Sequence, residues 1–291
     1  MAEQDLYINQ MIADKDCFAD LCNGILFHGR QIIKPQDLTL ITGRSGIQTA
    51  DDAGLKKTLQ RQRDVTMCAK NNIILAVIAA ENQAGVHYAM AVRSMLYDAL
   101  DYTMQVQNIC DKRRKTHEKM DSAGFLSGIS KDDRLIPVIT MVLYYGKDPW
   151  DGCQSLHELL DLEHAAGEML ELKPYIPDYK INLIQACRME DITRFQTHLQ
   201  YIFGMLKYNT DKEALYKYVR DNRTALLQMS SNAKMALLSL IGEQKRLARL
   251  TENFQNMEDF DMCKAIDDLI DEGKNLGKKS GKQSVKTACP P

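Results

Sequence analysis

The chain has no apolar run long enough to cross a membrane. Its longest uninterrupted apolar stretch covers positions 73–80, whereas a spanning helix needs about 20 residues. The first residues, Met1-Ala-Glu-Gln-Asp5, also lack the basic and then apolar segments of a signal peptide. We therefore expect a cytoplasmic protein that does not use a membrane as a partner.

Cysteine spacings typical of zinc sites or redox motifs are missing. The eight cysteines are scattered along the chain, with no CxxC pair and no Cys/His cluster of zinc-ligand spacing. In the absence of a secretion signal, we expect reduced thiols. A disulfide framework, a zinc site and a cysteine nucleophile are all disfavoured on these grounds.

Neither sign of charge dominates. The 37 Lys and Arg residues nearly balance the 39 Asp and Glu residues, which gives a net charge of −2. This balance weakens a simple prediction of nucleic-acid binding, but it does not exclude one, because a basic patch can lie on a neutral protein.

Proline is absent from residues 181–272, and glycine occurs there only at positions 204 and 242. Apolar residues recur at helical spacing in this region. The helices that we predict there cover 190–208, 211–227, 231–250 and 257–272. The basic, glycine-spaced segment after residue 272 is predicted to be disordered. We therefore divide the chain into a core (1–176), a helical region (177–272) and a tail (273–291).

The first 176 residues alternate between helical and extended patterns. This order predicts an α/β fold. The predicted elements are a helix over 5–27, an extended segment over 32–38, a loop over 40–57, two strands over 62–69 and 72–80, a helix over 88–115, a loop over 121–133, a strand over 135–145 and a short helix over 155–161.

The apolar strand over 73–80 ends abruptly in Glu81-Asn82-Gln83. Side chains alternate along a strand, so Glu81 and Gln83 share a face. Asp64 begins the preceding strand, and an Asn-containing turn between the two strands predicts a hairpin that lets Asp64 meet Glu81. Two carboxylates and the backbone carbonyl of Asn82 are oxygen ligands of the kind that Mg²⁺ prefers. The alternative is a solvated strand end at which Asp64 caps a turn.

A magnesium site of this kind suits phosphodiester hydrolysis. The ion would neutralise developing charge and lower the pKa of an attacking water. Gln83 could orient that water, and Arg93 could pair with the phosphate or with a site carboxylate. Arg93 and Tyr97 are four residues apart and project from one side of the predicted helix. The alternative is that both only buttress the sheet.

Three further polar or aromatic residues each allow two interpretations. Asp20 and Asn23, one turn apart on the first helix, would belong to a solvated face or face the same metal cleft. Trp150 would be a packing residue or a residue that stacks on a nucleic-acid base.

These segments together resemble the PD-(D/E)XK nuclease superfamily, and most closely its recombination-promoting branch, the transposase-like or YhgA-like proteins. The resemblance spans nearly the whole chain. It implies a restriction-endonuclease-like core, in which helices flank a mixed central sheet, and an α-helical C-terminal half. It also implies DNA cleavage that depends on Mg²⁺ or on Mn²⁺ as a substitute, and a role in recombination or mobile elements. DNA is then the expected partner, and a homodimer is an expected assembly. The segments that carry the resemblance are residues 18–38, Arg63-Asp64, Glu81-Asn82-Gln83, the helix with Met90, Arg93 and Tyr97, residues 135–146 with Trp150, and the tail after 262–266.

The resemblance assigns catalytic roles to individual positions. Asp64 and Glu81 match the metal-binding acids, and Gln83 matches a position often held by lysine. Asp20 matches a further acid that the superfamily sometimes carries, while Arg63 replaces the proline of the family motif. We assign Arg63 and Trp150 to DNA contact.

The loss of the lysine removes a cation, and a group that stabilises transition-state charge contributes about 3 kcal/mol. The alternative function is therefore a nuclease fold with weak or no catalysis that acts as a DNA- or protein-binding module.

Overall fold

A computed structural model describes residues 3–41, 45–50, 56–61, 65–69, 73–80, 86–117, 121–146, 148–161 and 167–241. The chain divides into two compact units, one formed by residues 31–185 and the other by residues 1–30 with 186–291. This division differs from the predicted boundary at 176/177, because the N-terminal helices group with the C-terminal ones.

The unit over 31–185 contains a mixed five-stranded sheet. Its strands are β1 (Leu38–Leu40), β4 (Val65–Ala69), β5 (Ile73–Ala80), β6 (Val138–Tyr144) and β7 (Asn182–Gln185), in the order β1-β4-β5-β6-β7. β1 and β5 pair with β4 in antiparallel fashion, whereas β5, β6 and β7 run parallel to one another. The predicted α/β class and mixed sheet are confirmed.

The predicted hairpin and the following helix and strand are also confirmed. β4 and β5 pair through Val65 and Val77 at one end and Ala69 and Ile73 at the other. The long helix α3 (Met90–Thr116) then connects β5 to the parallel strand β6, as a parallel connection requires a crossover.

The predicted loop over 40–57 is wrong. A separate antiparallel hairpin is formed by β2 (Ser45–Ala50) and β3 (Lys56–Arg61). These strands carry few apolar or aromatic residues, which weakens the strand signal in the sequence.

Two other short elements also lie outside the predicted ones. The predicted loop over 121–133 contains α4 (Ser122–Ser127), whose N-terminus is capped by the side chain of Asp121. The four-residue strand β7 lies in a region predicted to be almost entirely helical. The short helix predicted over 155–161 is present as α5 (Leu156–Leu159).

The second unit is helical. The single predicted helix over 5–27 is split into α1 (Glu3–Ala13) and α2 (Lys15–Leu26), because Asp14 adopts an extended conformation and caps α2. Short 3-10 turns precede the C-terminal helices, which are α6 (Leu199–Tyr208), α7 (Lys212–Asp221), α8 (Arg223–Leu227) and α9 (Ser231–Ile241). The predictions over 257–272 and 273–291 lie outside the described residues. None of the helices that the structure describes is both long and apolar enough to traverse a membrane.

Candidate functional site

The parallel strands β5, β6 and β7 end together at Ala80, Tyr144 and Gln185. We call this the carboxyl edge of the sheet, the kind of place where α/β proteins commonly bind ligands. β4 runs antiparallel to β5 and begins at Val65, so its first residue also lies toward this edge.

Five of the predicted site residues lie outside the described residues. They are Arg63, Asp64, Glu81, Asn82 and Gln83. The structure does describe their chain neighbours: Val65 follows Asp64, and Ala80 precedes Glu81. Val65 lies opposite Val77 of β5, and Ala80 lies opposite Tyr144 of β6.

Trp150 packs against Tyr144, the last residue of β6. Its ring contacts Tyr144 edge-to-face, with 5.2 Å between the ring centroids, and its Nε1 donates a hydrogen bond to the carbonyl of Gly152 at 2.7 Å. The side chain is only 7% exposed. A ring buried to this degree has little surface left for a nucleic-acid base, which favours the packing interpretation of Trp150 over its assignment to DNA contact.

The backbone of Trp150 is held by the neighbouring strand. Its N–H donates to Oε1 of Gln185, the last residue of β7, at 3.0 Å. Tyr144, Trp150, Met90 and Ala91 belong to one buried apolar cluster. The start of α3 is therefore packed against the same edge of the sheet as the Trp150 loop.

Arg93 and Tyr97 project from the same side of α3, as predicted. Nε of Arg93 donates to the Tyr97 hydroxyl at 3.0 Å, and the guanidinium carbon lies 5.5 Å from the centroid of the Tyr97 ring. This geometry combines a hydrogen bond with a cation–π contact. Because Nε is engaged by Tyr97, a phosphate contact by Arg93 would use the terminal Nη atoms.

Sequence reasoning missed a buried carboxylate further along α3. Asp98 is 9% exposed; its Oδ1 accepts a hydrogen bond from Thr140 Oγ1 at 2.6 Å and its Oδ2 accepts one from the Tyr179 hydroxyl. Asn182 of β7 donates to the carbonyl of Thr140 at 2.8 Å. The only sequence signal is an acid on the apolar stripe of a helix, because its partners lie 42 and 81 residues away.

The hydrogen bonds of Asp98 hold α3 in position against β6 and the segment before β7. Each carboxylate oxygen has a hydroxyl donor, which is how buried polar groups are normally satisfied. Among the described residues, no group of three or more His, Cys, Asp or Glu side chains is arranged to bind a metal ion.

Asp20 and Asn23 are not on a solvated face, since they are 3% and 0% exposed. The Asp20 carboxylate accepts hydrogen bonds from the backbone N–H groups of Gln196 and Thr197 and from the Thr197 hydroxyl, at 2.7–3.0 Å. Asp20 therefore anchors the segment that leads into α6. The sequence led to two interpretations of Asp20, a solvated residue and a metal-site acid. Neither interpretation anticipated this contact with the backbone.

A cleft of about 620 Å³ lies within the helical unit, between the start of α2 and the start of α9. Cys17 lies in its wall, and burial, followed by the nearby Asp14 carboxylate, raises the pKa of this thiol to about 12. A thiol with this pKa is not a nucleophile at neutral pH. Burial also lowers the pKa of His198 in the same wall.

The cleft does not suit a phosphate. Its described lining includes Asp14 and Asp16 but no Lys or Arg side chain. The carboxyl edge of the sheet is therefore the better candidate for a site that binds phosphate.

Comparison of the chain with protein-family models, with curated proteins and with solved structures found no match.

Proposed function

We propose that the chain is a Mg²⁺-dependent DNA endonuclease with a restriction-endonuclease-like core that acts in recombination or on mobile elements. The observation that carries the proposal is the antiparallel pairing of β4 and β5. Asp64 directly precedes the first residue of β4, and Glu81 directly follows the last residue of β5. Because the two strands are antiparallel, the first residue of β4 and the last residue of β5 both lie toward the same edge of the sheet.

In the proposed site, Asp64, Glu81 and the carbonyl of Asn82 would hold the metal ion. Mg²⁺ would supply charge neutralisation at the phosphate and a lowered pKa for the attacking water. Gln83 would orient the water, and the Nη atoms of Arg93 would bind a phosphate oxygen. Tyr97 would keep the Arg93 side chain in position through its hydrogen bond to Nε.

The strand register sets a geometric condition on this proposal. β5 continues three residues beyond Val77, the partner of Val65, which corresponds to about 10 Å along the strand. Carboxylates that share one Mg²⁺ each need a bond of about 2.1 Å. The proposal therefore requires the chain before Val65 to run along the end of β5. An experimental structure with the two carboxylates more than about 8 Å apart would contradict a shared metal.

Nicking of supercoiled plasmid tests the activity. With Mg²⁺ or Mn²⁺, we expect nicking by the wild type, and rates at least about 100-fold lower for Asp64→Ala and Glu81→Ala, because each removes a group that organises transition-state charge. Glu171→Ala is the matched control, since Glu171 is an exposed acid of the same unit. Equal nicking by all four proteins would assign the activity to another site or to a contaminant.

Substitution of Gln83 tests how the missing lysine limits the rate. We expect Gln83→Lys to nick faster than the wild type, because a cation at this position stabilises developing negative charge.

A wild type that binds DNA but leaves plasmid intact would favour the alternative function, a non-catalytic binding module. The near-neutral charge and the missing lysine are the observations that support this alternative.

A further inference from the structure

The C-terminal end of α3 is adjacent to a short helix that presents two apolar side chains to solvent. Phe125 and Leu126 of α4 are 85% and 89% exposed. Single exposed apolar residues are common on protein surfaces, whereas contiguous exposed apolar surface marks interaction sites.

The helix that carries this pair is fixed to α3. Asp121 caps its N-terminus through a 2.7 Å hydrogen bond to the N–H of Gly124. At its C-terminus, Gly128 adopts a φ of 78°, and its carbonyl accepts a hydrogen bond from Cys110 Sγ at 3.1 Å. A Cβ at Gly128 would lie 2.3 Å from that sulfur. The exposed pair therefore projects from an element held closely against the last turns of α3.

Exposed cations lie on the same elements. Lys112 and Lys115 are on the last turns of α3, and Lys131 and Arg134 are on the segment that follows α4; all four are exposed. Arg113 is different, because it is half-buried and bonded to Asp133 at 2.6 Å and to Ser130 at 3.2 Å. The contacts of Arg113 with Asp133 and Ser130 hold the segment that carries Lys131 and Arg134 against α3.

The local charge balance favours an anionic partner. Over residues 111–117 and 121–134 there are six Lys and Arg residues and four Asp residues, within a chain whose net charge is −2. Asp111 is paired with Arg114 at 3.6 Å, and Asp133 is paired with Arg113.

We propose that α4 with Lys112, Lys115, Lys131 and Arg134, together called the α4 tip, is a DNA-binding surface. The cations bind phosphates, and Phe125 and Leu126 enter between bases as an apolar wedge. Proteins that kink DNA combine cations with apolar wedges in this way. The choice of DNA as the anionic partner rests on the proposed nuclease function.

A membrane surface is the competing partner, and the size of the apolar element disfavours it. Helices that lie in a membrane interface bury an extended apolar face. α4 has six residues, of which two are large and apolar. Two adjacent side chains suit insertion at a single base step better than they suit burial in lipid.

The length of α3 predicts how long a DNA duplex must be to contact both the carboxyl edge and the α4 tip. α3 has 27 residues and is therefore about 40 Å long. It begins against the carboxyl edge and ends at the α4 tip, a span of about 12 base pairs of DNA at 3.4 Å each. A duplex of about 20 base pairs can contact both ends of α3, whereas one of about 8 base pairs cannot.

DNA binding without cleavage tests this inference. Fluorescence anisotropy with labelled 20-base-pair and 8-base-pair duplexes is measured in EDTA. We expect the wild type to bind the longer duplex more tightly, because only this duplex can reach both ends of α3, and we expect the double substitution Phe125→Ala/Leu126→Ala to weaken its binding about 10-fold. We expect Lys112→Gln/Lys115→Gln to reduce the slope of log K against log salt by about 2, because each phosphate contact contributes about 0.9.

The matched control is Leu172→Ala/Tyr175→Ala, which removes two other exposed apolar side chains of the same unit. It should bind both duplexes like the wild type. A fluorescence energy transfer pair at the two ends of the longer duplex should report bending by the wild type and loss of bending by Phe125→Ala/Leu126→Ala.

Three outcomes would overturn the inference. The first is unchanged binding and bending by Phe125→Ala/Leu126→Ala with an unchanged melting temperature. The second is an equal loss of affinity in the control. The third is binding to vesicles of anionic phospholipid that depends on Phe125 and Leu126 while DNA binding does not. Failure of plasmid nicking with retained, tip-dependent DNA binding would instead contradict only the proposed nuclease function.

Discussion

Asp98 fixes the position of a long helix through one side chain. Its carboxylate receives hydroxyl groups from Thr140 on β6 and from Tyr179 ahead of β7. Further along α3, the Tyr102 hydroxyl accepts a hydrogen bond from the N–H of Val138, and Gln105 bonds both the N–H and the carbonyl of Ile136. One side of α3 thus follows β6 from Thr140 to the residues that precede the strand.

We predict that Asp98→Asn lowers the free energy of unfolding by about 1–3 kcal/mol, because one hydroxyl donor loses its acceptor in a buried site. Urea denaturation followed by circular dichroism measures this change. The control is Asp111→Asn on the same helix, where the ion pair to Arg114 is exposed and contributes at most about 1 kcal/mol. An equal loss of stability in both variants would show that the buried contacts of Asp98 add nothing specific.

At the scale of whole elements, the packing of α2 depends on Gly24. Glycine generally destabilises a helix, yet α2 continues past Gly24 to Leu26. A Cβ at this position would lie 2.3 Å from the Phe195 ring. Gly24 is therefore the position at which α2 makes its closest approach to that ring.

We predict that Gly24→Ala destabilises the protein by about 1–3 kcal/mol, the usual cost of overpacking a core. At a helix position with free space, the same change would stabilise it by about 0.5–1 kcal/mol. Thermal denaturation distinguishes the two signs. Gly24→Ala/Phe195→Leu should recover part of the loss, and a stabilising effect of Gly24→Ala alone would contradict the close contact.

The elements that the sequence predicts well are those with a strong local pattern. The apolar runs in β5 and β6 and the stripe along α3 are visible without knowledge of the fold. β7 has only four residues, Asn182–Gln185, and its pairing with β6 is made by residues about 40 positions away. Such a strand has no local signature, because its stability comes from a neighbour that the sequence does not identify.

The candidate site, like the strands and helices, is predictable from sequence only where a local pattern marks it. The polar break after Ala80 and the acid before Val65 follow from sequence, and the strand pairing directs both attachment points toward one edge. The partners of Asp98 and Asp20 do not follow from sequence, since they are 42 to 177 residues away. Periodicity reports which face a residue lies on, but it does not report what that face contacts.

At the scale of the whole molecule, residues from both ends of the chain build the helical unit. Residues 1–30 belong with 186–291, and the contact between Asp20 and the Gln196–Thr197 segment joins these two parts of the sequence. The predicted boundary after residue 176 separated them, because composition changes there while contacts between distant segments leave no trace in composition. The stability of α6–α9 should therefore depend on α1 and α2.

Hydrogen exchange can test this dependence in the full chain. We predict that Asp20→Ala increases amide exchange at Gln196 and Thr197 and also across α2 and α6, because the carboxylate that anchors the segment between them is lost. The amides of β5 and β6 should keep their protection, since they belong to the unit over 31–185. Asp98→Asn should have the opposite distribution, with faster exchange in α3 and β6 and unchanged exchange in α6. Faster exchange throughout the chain in both variants would mean that the two units unfold cooperatively and would contradict the prediction. Faster exchange confined to one unit in each variant would show that each buried carboxylate stabilises its own unit.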